Sequence, residues 1–163
     1  MALTLEYLRT VLNYDQESGV FVWLVTRNSK AVVGSPAGSV HVSSGYMRIA
    51  VDQVQYKAHR LAWFYMHGTW PAEIDHIDGN RLNNRLANLR AASKALNAQN
   101  RRRALSTSHT GVLGVHLDPI SRRYRARIYH AGRVHRLGFF KTADEASLAY
   151  VAAKRRLHEG CTL

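Results

Sequence analysis

The sequence predicts an α+β fold made of small antiparallel sheets and short helices. Short runs of β-branched and aromatic residues are separated by glycine-containing turns, which is typical of strands joined in hairpins. The charges also divide the chain: residues 1–100 hold 10 basic and 7 acidic side chains, whereas residues 101–160 hold 13 and 4. A chain of 163 residues with this asymmetry is predicted to contain two small domains, the second much more basic than the first.

Residues 1–57 are predicted to form a lead-in of one helix and several hairpin strands. Leu3, Leu5 and Leu8 begin a helical apolar spacing that runs over residues 3–12. Strands are predicted at 20–25, 37–42, 46–51 and 54–57, separated by glycines. Two roles stay open for this segment, namely support of the following core and a further contact to the polyanionic partner, such as DNA, that the excess of basic residues favours.

Residues 58–100 are predicted to form a compact core of helix, two short strands and helix. The first helix covers 58–67 and is ended by Gly68 and Pro71. A strand begins near residue 73, a loop rich in asparagine follows, and a second strand lies near 87–90. Ser93 is a good N-cap for a helix over 94–101.

Residues 101–110 are basic and then rich in serine and threonine, and they are predicted to be a linker. Residues 111–160 are predicted to form three strands and a helix, at 112–117, 123–129, 133–139 and 143–158. The helix carries acids early and bases late, which matches its dipole. Lys154, Arg155 and Arg156 are therefore expected at its surface.

Composition restricts the function classes. The net charge of +12 favours a polyanionic partner. The single cysteine, Cys161, excludes an internal disulfide and a cysteine-based zinc site. No run approaches the roughly 20 apolar residues of a membrane span, and the first residues lack a signal-peptide core. The expected location is intracellular, in the cytoplasm.

Asp75, His76 and Asn97 are the candidate residues for phosphodiester hydrolysis. A histidine near its ordinary pKa can take a proton from water, and a hard divalent cation can neutralise charge on the phosphate. Asp75 and His76 are adjacent on a predicted strand, so their side chains point to opposite faces unless the following Asp-Gly-Asn turn bends the chain. Asn97 lies one turn into the next helix and offers an amide oxygen.

The run D75-H76-I77-D78-G79-N80, followed by N88-L89-R90 and N97, resembles the HNH motif of phage nicking and homing endonucleases. The upstream run H59-R60-L61-A62-W63 resembles the helix that precedes the motif in those enzymes. The resemblance implies a ββα-metal core, also called a His-Me finger, in which two strands and a helix hold one ion.

The resemblance also implies a role for each matched residue. Asp75 and Asn97 correspond to the metal ligands, His76 to the general base, and Asn88 to the residue that orients that base. Oxygen ligands favour Mg²⁺ or Mn²⁺ over zinc. Asn100, three residues beyond Asn97, can compete for the second ligand position. His59 and Arg60 are candidates for phosphate contact, with packing and capping of their helix as the alternative.

Alternation along 123–129 places Arg123, Arg125, Arg127 and Tyr129 on one face of a strand. Arg136 joins this face from the next strand and Arg133 lies at its edge, while Arg101, Arg102 and Arg103 precede the module. Arginines spaced in this way suit DNA phosphates and guanine edges. The segments G114-V115, R123–I128, L137–F140 and T142–Y150 resemble the AP2/ERF DNA-binding domain. Arg136 and Ile120 stand near positions where that family uses tryptophan.

Together these features predict a metal-dependent HNH endonuclease that hydrolyses double-stranded DNA and leaves 5′-phosphate and 3′-hydroxyl ends. Nicking or cutting of both strands, and a monomer or a dimer, are both compatible with the sequence. Two alternatives remain: a non-catalytic DNA-binding regulator built on the AP2-like module, and a basic protein that binds RNA or the ribosome.

Overall fold

A computed structural model describes residues 2–159 and 161. Those residues form small antiparallel sheets and four α-helices, so the predicted mixture of small sheets and helices is confirmed. The chain divides into two compact units, Met1–Lys94 and Ala95–Leu163. The division falls near residue 94, whereas the sequence places a linker at 101–110, and the predicted domain bounds stay predictions.

Helix α1 (Leu5–Val11) opens the first unit, and the Thr4 hydroxyl caps it by accepting from the Tyr7 amide at 3.2 Å. Strand β1 (Leu12–Asp15) follows without a break and pairs antiparallel with β2 (Val20–Trp23). The sequence did not predict β1. The helical spacing runs up to Leu12, and a strand of four residues directly after a helix gives too little alternation to detect.

Three strands form a separate sheet in the order β3 (Ser39–His41), β4 (Tyr46–Val51) and β5 (Val54–Lys57). All three were predicted, and β3 is shorter than expected. Asp52 and Gln53 connect β4 to β5 with φ values of 48° and 67°, the positive range that a two-residue hairpin turn requires. The inner face of β4 buries Ile49 and Val51.

Helix α2 (Ala58–His67) has the predicted bounds, and Gly68 ends it at a φ of 69°. Strands β6 (Glu73–His76) and β7 (Leu89–Ala92) form the next antiparallel hairpin, and helix α3 (Lys94–Gln99) follows. The second strand begins two residues later than predicted because Leu86–Asn88 forms a 3-10 turn first. The predicted order of strand, strand and helix along the chain is confirmed.

One apolar core holds the first unit together, with Leu8, Leu12, Phe21 and Leu61 almost fully buried. The Tyr14 and Phe21 rings pack at a tilt of 31° with their centroids 4.7 Å apart. Ile74 of β6 and Leu89 of β7 belong to the same core. The β6–β7 hairpin is therefore fixed by burial of one residue from each strand, which positions the residues between them.

The second unit contains three strands and one long helix, in the predicted order. The sheet is antiparallel in the order β10 (Arg133–Phe140), β9 (Tyr124–His130) and β8 (Val115–Leu117), and α4 (Ala143–Leu157) packs on it. A capping box joins Thr142 and Glu145 at the start of α4. Likeness of this unit to AP2/ERF domains stays a prediction.

The expected surface position of Lys154 is wrong. Its side chain is only 1% exposed, and its ammonium group donates to the Arg101 carbonyl oxygen. The physical reason is helical spacing, since Lys154 lies four residues after the buried Tyr150 and next to the buried Ala153. Burial lowers the pKa of the Lys154 ammonium. Arg155 and Arg156 are exposed, as predicted.

Among residues 2–159 and 161, no helix has both the length and the apolar character needed to cross a membrane.

Candidate active site

Asp75 and His76 are adjacent at the end of β6 that leads into the loop of the β6–β7 hairpin. Asp75 lies opposite Arg90, and His76 lies opposite Leu89. Both side chains are buried, with 8% of Asp75 and 5% of His76 exposed. Buried polar side chains of this kind need hydrogen-bond partners, and these come from the loop that joins the two strands for His76 and from β7 for Asp75.

The Asn88 side chain holds the loop between β6 and β7 together through hydrogen bonds to Asp78 and Asn83. Its Oδ1 accepts from the Asp78 amide at 3.0 Å, and its Nδ2 donates to Asp78 Oδ1 at 2.9 Å and to the Asn83 carbonyl at 2.8 Å. Asn83 Nδ2 also donates to Asp78 Oδ2 at 2.6 Å. The turn after His76 is therefore held by side-chain amides and one carboxylate, and its shape depends directly on Asn88.

His76 is anchored by Asn84, which the sequence analysis did not single out. The His76 Nε2 and Asn84 Oδ1 atoms are 3.3 Å apart. Asn84 Nδ2 donates to the Leu82 carbonyl, so its Oδ1 is the atom that faces the imidazole. Nε2 therefore carries the hydrogen in the neutral ring, and Nδ1 carries the basic lone pair. The Tyr14 hydroxyl donates to the backbone carbonyl of Asn84 at 2.7 Å, which fixes Asn84 in place.

The surroundings of His76 keep its imidazole neutral. Burial lowers the pKa of His76, against the opposing effect of its Asn84 hydrogen bond and of nearby carboxylates. His59 packs edge-on against it with ring centroids 4.9 Å apart, and Tyr46 lies 6.0 Å from it. A neutral imidazole can accept a proton at neutral pH, so the environment suits a general base.

Arg90 is a second residue that the sequence analysis did not assign. Its Nη2 lies 2.7 Å from Asp75 Oδ2, and its Nε donates to the same oxygen at 3.1 Å. The hairpin register explains this ion pair, because the two residues are directly opposite on neighbouring strands. Arg90 is part of the motif N88-L89-R90 in the sequence, but only the strand pairing shows that it contacts Asp75.

His59 and Arg60 lie at the start of α2. His59 is buried, its Nδ1 has no hydrogen-bond partner among the residues the structure describes, and burial lowers its pKa to about 3. Its burial favours the packing alternative, and phosphate contact by His59 stays a prediction. The Arg60 guanidinium donates to the Pro71 carbonyl at 2.9 Å and to the Ala72 carbonyl at 3.3 Å. These bonds fix the segment before β6, and phosphate contact by Arg60 stays a prediction.

The predicted metal ligands fit a hard cation by their chemistry. Asp75 offers a carboxylate, and Asn97, half-buried on α3 in the second unit, offers an amide oxygen. In the described part of the chain, no group of three or more His, Cys, Asp or Glu side chains is arranged to hold a metal. Mg²⁺ commonly takes one or two protein oxygens and completes its shell with water and substrate phosphate. Pairing of Asp75 with Asn97, in preference to the buried Asn100, stays a prediction.

The second unit carries the predicted basic sheet face. Ala126 and Ile128 are buried, whereas Arg127 and Tyr129 on the alternate positions of β9 are exposed. Arg136 lies directly opposite Arg127, so the two guanidinium groups share a face. The same face is completed by the partners of Arg125 and Tyr129, namely His116, Phe139 and Val134. The alternation predicted for this strand is confirmed.

The remaining predicted arginines lie at the ends of these strands or before the sheet. Arg123 is exposed just before β9, and Arg133 begins β10 opposite His130. Arg101, Arg102 and Arg103 are exposed in the segment after α3. Their DNA contacts stay predictions.

Comparison with known proteins gives one match. Residues 56–99 match the family model described as HNH endonuclease. The matched segment contains α2, the β6–β7 hairpin and α3, and it supports an HNH endonuclease domain in this part of the chain. The family suggests a nuclease, that is, a hydrolase acting on nucleic acid. Neither a curated protein nor a solved structure matches the chain.

Proposed function

We propose that this protein is a metal-dependent DNA endonuclease in which His76 activates the attacking water. The observation that carries the proposal is the buried, neutral His76 ring, held by Asn84 beside the Asp75 carboxylate within an HNH-like segment. Hydrolysis of a phosphodiester needs a base for water and positive charge at the phosphate, and this hairpin offers a residue for each requirement.

His76 performs the proton transfer. With Nε2–H donated to Asn84, Nδ1 is the nitrogen that takes the proton from water as the water oxygen attacks phosphorus. Asn84 then stabilises the imidazolium by accepting from it, and Asn88 keeps the adjoining turn in place. The bond between phosphorus and the 3′ oxygen breaks, and this oxygen takes a proton from solvent, which gives 5′-phosphate and 3′-hydroxyl ends.

Asp75 and Asn97 would hold a divalent cation, Mg²⁺ or Mn²⁺, and that ion supplies positive charge at the scissile phosphate and at the leaving oxygen. Arg90 holds the Asp75 carboxylate in place by its ion pair. An ionised Asp75 also favours the protonated form of His76 that arises during the reaction.

The second unit would hold double-stranded DNA. Arg125, Arg127 and Arg136 share a sheet face with the exposed rings of Tyr129 and Phe139, and such a face suits phosphates and base edges. We infer an AP2-like module here, with Arg101–Arg103, Arg123 and Arg133 as further phosphate contacts. A nuclease with an added DNA-binding module fits the phage homing and nicking enzymes that the motif resembles.

Nicking of supercoiled plasmid tests this function. The wild-type protein should convert plasmid to open-circular or linear forms with Mg²⁺ or Mn²⁺ and not with a chelator. His76→Ala should lose at least about 100-fold in rate, the usual contribution of a general base. His109→Ala, a change at an exposed histidine in the predicted linker, should cut normally. DNA binding without any cleavage by the wild-type protein would instead support the non-catalytic regulator.

A further inference from the structure

The sheet β3–β4–β5 has an outward face with no assigned role. Strand pairing places Arg48 opposite both Ser39 and Lys57, Tyr46 opposite His41, and Ala50 opposite Gln55. The alternate residues of β4 turn inward, where Ile49 and Val51 are buried. We define the outward face by these residues: Ser39, His41, Tyr46, Arg48, Ala50, Gln55 and Lys57.

Cations gather on this face around one aromatic ring. The Lys57 ammonium lies 4.7 Å from the centroid of the Tyr46 ring, and the Arg81 guanidinium carbon lies 4.9 Å from it. Arg81 reaches this position from the loop of the β6–β7 hairpin, and it is fixed there by donating to the Ser44 carbonyl at 2.8 Å. Arg48 adds a third cation next to Lys57 on the sheet.

These cations lack anionic partners. Within residues 2–159 and 161, neither Arg48, Lys57 nor Arg81 forms an ion pair. The Nε atom of Arg48 is buried without a hydrogen-bond partner in the same part of the chain. The outward face itself contains no acidic residue. Like charges held close together repel, so this cluster of cations favours an anionic ligand.

The outward face is continuous with the candidate active site. The Tyr46 ring lies 5.0 Å from the His59 ring and 6.0 Å from the His76 ring, measured between centroids. A shallow concavity of about 670 Å³ lies on the same sheet and is lined by Ser39, His41, Arg48 and Gln55 among others. An extended anion lying across this face would therefore end beside the proposed base.

We propose that the outward face of the β3–β4–β5 sheet is a second DNA-binding surface, which holds backbone phosphates of the substrate duplex and leads the cut strand to His76. This inference rests on the proposed function, because it takes the anion to be the DNA that His76 cleaves. It gives residues 39–57 a role in substrate binding that is separate from the arginines of the second unit. Arg48 and Lys57 contact phosphates, and Arg81 with Tyr46 forms the boundary to the catalytic histidine.

The test compares matched single substitutions in the full-length protein. Lys57→Gln and Arg48→Gln remove one cation each from the outward face, and Lys30→Gln removes an exposed cation from the turn near Asn28 and Ala31. Binding of a short labelled duplex is measured by fluorescence anisotropy in chelator over a range of salt concentrations. Each phosphate contact contributes about 0.9 to the slope of log K against log salt.

We expect Lys57→Gln and Arg48→Gln each to weaken duplex binding and to lower the salt slope by about 0.9, while Lys30→Gln changes the slope little. Lys57→Arg should restore the slope, because it restores the charge. Equal slopes for Lys57→Gln, Lys30→Gln and wild type, in variants that melt like wild type, would overturn the proposal. Stronger dependence on Lys57 for a structured RNA than for the duplex would also overturn it.

Plasmid cleavage by the same proteins separates this proposal from the nuclease function. If wild type cuts plasmid and neither outward-face variant binds less tightly, the surface is rejected and the nuclease stands. If no protein cuts but both variants lose affinity and slope, the surface stands and the nuclease is rejected.

Discussion

At the scale of single residues, the proposed hydrolysis depends on how the His76 imidazole is held. His76 is buried, and Asn84 Oδ1 accepts from its Nε2. A second bond fixes Asn84 itself, since its carbonyl accepts from the Tyr14 hydroxyl in the core. The chain Tyr14–Asn84–His76 therefore connects the apolar core of the first unit to the proposed base. Removing its middle member tests whether that orientation matters.

Asn84→Ala should lower the rate of plasmid cleavage by about 10-fold or more, because the ring loses the partner that selects its tautomer. It should also cost about 1–2 kcal/mol in the free energy of unfolding, since a buried hydrogen bond is lost. Asn80→Ala, at an exposed position of the same loop, is the control. Anisotropy should show unchanged DNA affinity for both. Normal cleavage by a folded Asn84→Ala protein would remove Asn84 from the mechanism.

The burial of His59 makes the free energy of unfolding depend on pH. Its pKa falls to about 3 in the folded protein because of burial, while the unfolded chain has a pKa of about 6.5. Below about pH 6.5 the unfolded state therefore binds a proton that the folded state does not bind. The free energy of unfolding falls with pH over the range from about 6.5 to about 3. At pH 5 this histidine should reduce the free energy of unfolding by about 1–2 kcal/mol relative to pH 7.

His59→Phe removes that titrating group while keeping a planar ring against Tyr46 and His76. Urea unfolding at pH 7 and pH 5 should show a smaller loss of stability for His59→Phe than for wild type. The same loss in both proteins would mean that His59 is protonated in the folded state. That result would favour phosphate contact by His59 over packing.

At the scale of elements, the contact between a strand and a helix defines the second unit. Gly114 precedes β8 at a φ of 73°, and a Cβ atom placed there would lie 2.0 Å from Cδ2 of the Tyr150 ring on α4. Helix α4 therefore approaches this backbone more closely than any side chain permits. The sequence shows a glycine and an aromatic residue, but their distance depends on the packing of α4 against the sheet.

Gly114→Ala should lower the free energy of unfolding by at least about 2 kcal/mol, because strain at positive φ adds to overlap with Tyr150. Gly111→Ala is the matched control, since Gly111 also has a positive φ, of 64°, but no neighbour within 4 Å of an added Cβ. Thermal melts followed by circular dichroism measure both. Equal destabilisation of the two variants would show that the close approach to Tyr150 contributes nothing.

The basic face of β9 and β10 is the second feature at this scale. Arg127→Gln should weaken duplex binding and lower the salt slope by about 0.9, because one phosphate contact is lost. Arg156→Gln, an exposed arginine on α4, should leave the slope close to that of wild type. Anisotropy titrations over a salt series give both values. A larger effect at Arg156 would place the DNA on the helix rather than on the sheet.

At the scale of the whole molecule, the spacing of apolar residues and glycines predicted most helices and strands. The side-chain contacts of the candidate site depend on strand register and loop shape and could not be predicted. Helix α2 and the strands of the second unit could be predicted because apolar spacing and glycine turns mark them in the sequence. Strand β1 could not, since its four residues directly follow a helix. The first strand of the HNH-like segment could be predicted, but the partners of its residues could not, because Arg90 and Asn84 depend on register and on loop shape.

Burial was the other property that the sequence did not show. Lys154 and His59 are polar residues whose helices turn them inward, and both contribute to packing rather than to a charged surface. Local charge patterns describe a helix by itself, whereas burial depends on what packs against it. The cations on the outward face of β3–β4–β5 could not be predicted either. Arg48, Lys57 and Arg81 come from three separate segments, and only the fold brings them together.

If the hairpin that carries Asp75 and His76 is the hydrolytic centre, the rate of single-turnover cleavage must depend on His76. With protein in excess over supercoiled plasmid and Mg²⁺ present, the observed rate reports the chemical step without differences in binding. We predict that His76→Gln lowers this rate by at least about 100-fold while its duplex affinity in chelator equals that of wild type. A His76→Gln protein that cuts at the wild-type rate would contradict the account.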